Sequence, residues 1–130
     1  MPRPLPRIDA MMAPYWEATR EGRLLVPECD RCGRRHNPPE AMCPFCLADW
    51  HWAESPGLGN VYSFTVVNRP ASPDFPASYV LALVEMDDDG WIMRTNLVDV
   101  DEKDIEIGLA VKVHFVAESD EITLPYFAAR

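Results

Sequence analysis

The sequence predicts a mainly β protein, with a short N-terminal helix and a rubredoxin-like zinc ribbon followed by a five-stranded OB-fold barrel. Three observations lead there. Cys29, Cys32, Cys43 and Cys46 form two paired C-x2-C loops. Beyond Gly57 the chain changes to short, alternating apolar segments bounded by turn residues. Five such segments occur, with a polar connector between the third and fourth, which is the order of a five-stranded Greek-key barrel. Pro56-Gly57 and Gly59 punctuate the change, so residues 1–56 are assigned to helix and ribbon and 57–130 to the barrel.

The N-terminal elements follow from local signals. Residues 1–8 alternate proline with arginine and read as a flexible lead or a strap. In APYWEATREG, Pro14 suits a first-turn position, helix formers follow, and Gly22 is a stop, which predicts a helix over 13–21. Asp9 is placed to cap an extra turn before it. RLLVPE then runs extended into the first cysteine pair, and DWHWAES supplies the closing strand of the ribbon. Trp50 and Trp52 flank His51 at strand spacing and are read as a wall of the ribbon–barrel interface, with an aromatic binding platform as the lesser reading.

The cysteine spacing C-x2-C-x10-C-x2-C carries the chemistry. Each loop presents two thiolates, and two loops facing one another complete a tetrahedral S4 site at about 2.3 Å per bond. Cys29, Cys32, Cys43 and Cys46 are therefore the predicted ligands of one structural zinc ion, with iron as the competitor for the same ligand set. Two disulfides, or four unrelated buried thiols, are the alternatives. With all four positions filled by the chain, none is open to water or substrate, so the site reads as structural. Gly33 after Cys32 suits the left-handed backbone of a tight knuckle, whereas Leu47, at the equivalent place after Cys46, predicts a strained second turn.

The barrel strands are read as NVYSFTVVNR, YVLALVEM, WIMRTNLVDV, VKVHFVAE and EITLPYF, with DEKDIEIG as a helical or turn connector. Asp89-Gly90 is a strong tight-turn signal. The preceding Asp87 and Asp88 lack the spacing and the terminal Glu of a calcium loop, so this segment is read as a solvated hairpin turn. No catalytic residue is assigned. His36, His51 and His114 are scattered, no serine sits in a G-x-S-x-G elbow, and the phosphate-binding glycine motifs are missing from the sequence.

Charge constrains the partners. Residues 1–57 carry seven Arg against eight acids, a net of −1, and residues 58–130 carry five Lys or Arg against thirteen acids, a net of −8. A barrel of that charge is a poor host for DNA or RNA, whose binding requires cations to neutralise phosphates. No apolar run approaches the roughly 20 residues that cross a bilayer, and MPRPLPRIDA lacks the apolar centre of a secretory signal, which points to a cytoplasmic protein without membrane insertion. A reducing cytosol also favours metal ligation over disulfides.

With these motifs in place, the chain resembles the small two-module proteins called domain of unknown function thirty-five, the acyl-CoA-associated zinc-ribbon and OB-fold proteins. The resemblance runs through PYWEATREGRLLVPEC, CDRCGRRHNPPEAMCPFC, GLGNVYSFTVV, PASYVLALVEMDDDGWIMRTNL and IGLAVKVHF. It implies an accessory subunit that docks on a thiolase-like or lipid-transfer-protein-like enzyme, such as a sterol side-chain aldolase, and helps to order the path of a CoA thioester. A single-stranded nucleic-acid binder is the alternative for this pair of modules. Phe75 in the proline-rich loop and Tyr126 and Phe127 near the C-terminus are the expected aromatic anchors for the partner. Removal of residues 125–130 is expected to leave the barrel folded.

Overall fold

The computed structural model describes residues 4–69, 72–75 and 78–130. Helix α1 (Ala13–Arg20) leads into β1 (Leu24–Cys29), and β2 (Trp50–Ser55) returns antiparallel to it as a two-stranded sheet. Five further strands follow: β3 (Leu58–Val67), β4 (Tyr79–Met86), β5 (Ile92–Leu97), β6 (Ala110–Ala117) and β7 (Thr123–Ala129). They close in the order β3-β4-β5-β7-β6, and the connector between β5 and β6 holds a single 3-10 turn over Glu102–Asp104. This is the predicted OB-fold barrel behind a ribbon, with element ends displaced by a few residues.

The local causes are visible in the sequence. The Asp9 carboxylate accepts the Met12 amide at 2.8 Å and sets the chain into the turn before α1. Gly22 takes φ +77° just past the helix, the left-handed geometry that ends helices and that glycine adopts without a Cβ clash. In β4 the residues Val80, Ala82, Val84 and Met86 are buried, while Tyr79, Leu81, Leu83 and Glu85 face outward, the period of a strand buried on one face. The register between β3 and β4 shifts between Val61 and Ser63, leaving Tyr62 as the extra, exposed residue of a bulge. Gly59 is required by close approach, because a Cβ there would lie 2.6 Å from the Glu85 carbonyl oxygen.

One core serves both parts of the chain. Leu24 and Val26 of β1 join Val61, Val84, Val111 and Phe127 of the barrel in a single buried cluster. Helix α1 packs on β1, β6 and β7, with Trp16, Ala18 and Thr19 buried. The Arg20 guanidinium donates to the Glu121 carbonyl at 2.9 Å and ties the helix to the β6–β7 turn.

The C-terminal segment departs from the expectation drawn from sequence. Phe127 is 0% exposed at the centre of the core, and Tyr126 is 9% exposed with its hydroxyl donating to Glu118 at 3.2 Å. β7 is the strand that closes the barrel: its Phe127 is paired with Leu97 of β5 in parallel and with Val113 of β6 antiparallel. Phe127 therefore cannot serve as an exposed anchor, and removal of residues 125–130 removes a wall of the barrel. Phe127→Ala should cost about 3–5 kcal/mol, the usual loss for a large aromatic in a packed core. Chemical denaturation measures it, and a cost below about 1 kcal/mol, the level of a surface change, would contradict this placement.

Candidate metal centre

The two C-x2-C loops fold identically. The Cys29 amide donates to the Arg34 carbonyl at 2.9 Å and the Gly33 amide to the Cys29 carbonyl at 3.2 Å. In the second loop the Cys43 amide donates to the Ala48 carbonyl at 2.8 Å and the Leu47 amide to the Cys43 carbonyl at 2.9 Å. Gly33 and Leu47 occupy the same place, with φ of +73° and +65°. For leucine this left-handed geometry costs roughly 1–2 kcal/mol, so the second knuckle carries the predicted strain.

The four sulfur atoms lie within 4.8 Å of one another. Across the loops, Cys29 Sγ is 3.3 Å from Cys46 Sγ, and Cys32 Sγ is 3.8 Å from Cys43 Sγ. A disulfide needs about 2.05 Å, so the four thiols are free. A tetrahedral ion with 2.3 Å bonds sets its ligands about 3.8 Å apart, and these separations fit such an ion. The Arg31 and Cys32 amides both point at Cys29 Sγ from 3.3 Å.

Protonation follows this arrangement. Burial pushes the Cys29 thiol up, but the amides of Cys32 and Arg31 and the adjoining thiols outweigh it and hold Cys29 down at about 6. The Arg34 amide favours a Cys32 thiolate, yet burial and the three neighbouring thiols push Cys32 up to about 11. A thiolate on Cys29 thus disfavours a second on Cys32, and a cation held by these sulfurs would favour their deprotonated forms.

The ribbon is bolted to the barrel by residues read from sequence as a solvated turn. Asp88 accepts from Arg35 Nη1 at 2.6 Å, Trp91 Nε1 at 2.9 Å and Ser55 Oγ at 3.1 Å. Asp89 accepts the Arg35 amide at 2.8 Å, and Asp87 accepts from Arg130 at 3.3 Å. The Arg35 and Asp88 side chains are only 18% and 13% exposed. Asp88 is thus a mostly buried carboxylate with three donors, whereas Asp87, Asp89 and Gly90 are exposed, so the hairpin turn is solvated as read except at Asp88. The tandem acids beside Trp91 were the signal available in the sequence, but their partner Arg35 lies more than fifty positions away.

The aromatic and histidine residues are brought into one neighbourhood. Trp52 packs on Trp50 at 4.9 Å and on Tyr15 of α1 at 5.9 Å, and Trp50 Nε1 donates to the Glu40 carbonyl at 2.7 Å. Burial pushes the Tyr15 hydroxyl pKa well up. His36 packs edge-on to Trp50 with both ring nitrogens unpartnered. His51 instead lies between Asp30 at 2.6 Å and Glu28 at 3.1 Å on the exposed face. Phe75 is half-buried and stacks on Tyr79 at 5.7 Å.

Two family profiles match these two parts: "ChsH2, rubredoxin-like zinc ribbon domain" over residues 16–50 and "ChsH2, C-terminal OB-fold domain" over residues 52–116. A scaffold protein of Methanothermobacter thermautotrophicus named for the DUF35 domain is 34% identical over 96 residues, 71% of either chain. The chain belongs to the ChsH2 zinc-ribbon and OB-fold family, DUF35. A probable enoyl-CoA hydratase alpha subunit of Thermomonospora curvata is 39% identical over 126 residues, 96% of this chain. The DUF35 chain spans only 39% of that relative's length. Among solved structures, a chain of the Ltp2-ChsH2(DUF35) aldolase superposes with a TM-score of 0.84 at 37% identity, covering 96% of this chain and 98% of the other.

Two outcomes test this geometry. Asp88→Ala should cost about 2–3 kcal/mol in urea denaturation, because it removes charged hydrogen bonds and strips Arg35 of one of its carboxylates. A loss no larger than that of an exposed aspartate would remove Asp88 from the bolt. In an NMR pH titration, His51 should protonate above and His36 below the ordinary value of about 6.5. Asp30 raises His51 most, burial opposes it, and Glu28 adds to the rise; burial lowers His36, with Glu40 partly opposing. The His51 contribution to stability is then complete below about 6.5 and is lost as pH rises through its raised pKa. The His36 contribution is present above about 6.5 and is lost as pH falls.

Proposed function

We propose that this chain is a non-catalytic accessory subunit that docks on a thiolase-like or lipid-transfer-protein-like acyl-CoA enzyme and supports its activity, with a sterol side-chain aldolase as the specific case. The observation that carries this reading is the near end-to-end match, 96% of this chain and 98% of the other, to a chain of the two-component Ltp2-ChsH2(DUF35) aldolase. The scaffold name of the Methanothermobacter relative supports it. Hydratase chemistry is not carried over from the Thermomonospora relative, of which this chain covers 39%.

The metal in this reading is structural zinc held by Cys29, Cys32, Cys43 and Cys46, with iron as a substitute on the same four thiolates. A closed S4 site supplies no Lewis acid and no activated water; it fixes the fold of residues 29–49. Such a thiolate site suits the reducing cytoplasm, and among the described residues no helix is long and apolar enough to cross a membrane. The CoA thioester belongs to the complex, bound where the partner enzyme holds it. Phe75, stacked on Tyr79 beside the proline-rich loop, is proposed as an aromatic contact to the partner. Binding of single-stranded nucleic acid, the other use of this barrel, is disfavoured by a barrel half with thirteen acids against five bases.

Elemental analysis of freshly folded protein should find about one zinc per chain, and chelation or Cys43→Ser should melt the ribbon amides, because a short cysteine segment without a core folds with its ion. Protein with neither zinc nor iron, or ribbon amides indifferent to chelation, would sink the metal reading. The isolated chain should turn over no acyl-CoA, whereas its mixture with the enzyme subunit should run as one species in size-exclusion chromatography and show raised activity. Steady-state turnover by the chain alone, abolished by single substitutions at its own polar residues, would replace the scaffold reading with an enzyme.

A further inference from the structure

The four sulfur-bearing residues are not equally open to solvent. Cys32 is exposed and Cys46 half-buried, whereas Cys29 and Cys43 are buried. The close contacts across the two loops join one of each kind: Cys46 with Cys29 at 3.3 Å, and Cys32 with Cys43 at 3.8 Å. Each open cysteine therefore has a shielded cysteine of the opposite loop beside it. That arrangement suits reversible oxidation, in which an accessible sulfur takes the first oxygen and a neighbouring thiol resolves it to a disulfide.

The backbone holds these partners near one another. Each loop closes on its own hydrogen bond, Cys29 to Arg34 and Cys43 to Ala48, and the β1–β2 pairing of Cys29 with Trp50 fixes the ends of the segment. The Arg31 and Cys32 amides aim at Cys29 Sγ and orient it. To reach the roughly 2.05 Å of a disulfide, each pair of sulfurs closes by about 2 Å or less. The two bonds would be nested, with Cys29–Cys46 spanning 17 positions and enclosing Cys32–Cys43, which spans 11. Nested bonds tie one loop to the other, as four ligands around one ion do, and they constrain the unfolded chain. A bond inside either C-x2-C loop leaves the loops unjoined.

We propose that the cysteine centre is a reversible peroxide-responsive site, in which oxidation forms Cys32–Cys43 and Cys29–Cys46 disulfides, releases the metal and leaves the ribbon folded. The release of metal rests on the four-cysteine metal reading above. Hydrogen peroxide is the oxidant. The Cys32 thiolate attacks one peroxide oxygen, so that an S–O bond forms, the O–O bond breaks and hydroxide leaves. Cys43 Sγ then attacks the Cys32 sulfur; the S–S bond forms, the S–O bond breaks and a second hydroxide leaves. Cys46 and Cys29 react in the same way. Four thiolates and two peroxide molecules thus give two disulfides and four hydroxides, each peroxide taking two electrons from sulfur. A dithiol reverses the change by exchange and returns the ligands to the metal.

The test treats the full metal-loaded chain with hydrogen peroxide in the presence of a chromogenic zinc chelator, then maps the bonds by mass spectrometry. Trypsin cuts after Arg31 and Arg35 and chymotrypsin after Phe45, so the four cysteines fall on separate peptides. About one metal ion per chain should be released as the thiols disappear. The intact chain should lose the mass of four hydrogen atoms, and peptides should join Cys29 to Cys46 and Cys32 to Cys43. Ribbon amides should stay dispersed in NMR spectra of the oxidised, metal-free chain, and a dithiol with added zinc should restore the starting protein. Bonds inside the loops, or cysteines carrying two or three oxygens in place of disulfides, would overturn the inference. So would thiols that outlast a peroxide dose consuming free glutathione, or an oxidised ribbon as melted as the chelated, reduced one. Protein isolated with neither zinc nor iron would overturn the metal reading and the release of metal with it, while the peptide map of its oxidised thiols would decide the pairing by itself.

Discussion

Four sulfur atoms gathered within 4.8 Å of one another set the terms for everything N-terminal to the barrel. Between β1 and β2 the chain runs through turns and bends in which only His36 and Cys43 are buried, so the segment has almost no apolar surface to drive its own folding. At that spacing Cys29 is held down and Cys32 pushed up, so one thiolate disfavours its neighbour. A cation held by Cys29, Cys32, Cys43 and Cys46 would offset that cost and tie the two loops together. Backbone amides aimed at Cys29 Sγ are part of the same solution, since they favour the charged form against burial.

What the knuckles hold in place is Arg35. The first knuckle closes through the Cys29–Arg34 hydrogen bond, and the next residue reaches across to Asp88 and Asp89 of the β4–β5 turn. The aspartate is mostly buried, which raises the value of each donor it accepts and the cost of losing one. Below this bolt, Leu24 and Val26 enter the barrel core, so the ribbon is joined to the barrel both by charge and by apolar burial. Ribbon and barrel therefore share one buried core and a mostly buried ion pair.

The distribution of chemistry fits the accessory role proposed above. Its three histidines are occupied in unrelated ways: one buried against Trp50, one between two acids, and one 3.8 Å from Asp99. Charge is uneven along the chain, with thirteen acids against five bases in residues 58–130 and a nearly balanced N-terminal part. Family membership groups this chain with a chain of the solved Ltp2-ChsH2(DUF35) aldolase and with a DUF35 domain-containing scaffold protein.

Signals that depend on neighbours in the chain were legible in the sequence. The C-x2-C pairs, the Pro14 start and Gly22 stop of the helix, the Asp89-Gly90 turn and the period-2 burial of β4 are local patterns, and each produced the element it predicted. The strain at Leu47 was legible too, because a knuckle needs a left-handed residue wherever it occurs. Sequence alone did not decide which polar residues would be buried or which aromatics would be exposed. Asp88 reads as a solvated turn acid until Arg35 is brought to it, and Phe127 reads as a terminal anchor until β7 closes between β5 and β6. Both outcomes rest on pairings between residues tens of positions apart, set by barrel closure and by the packing of the ribbon on it, and no local propensity encodes them.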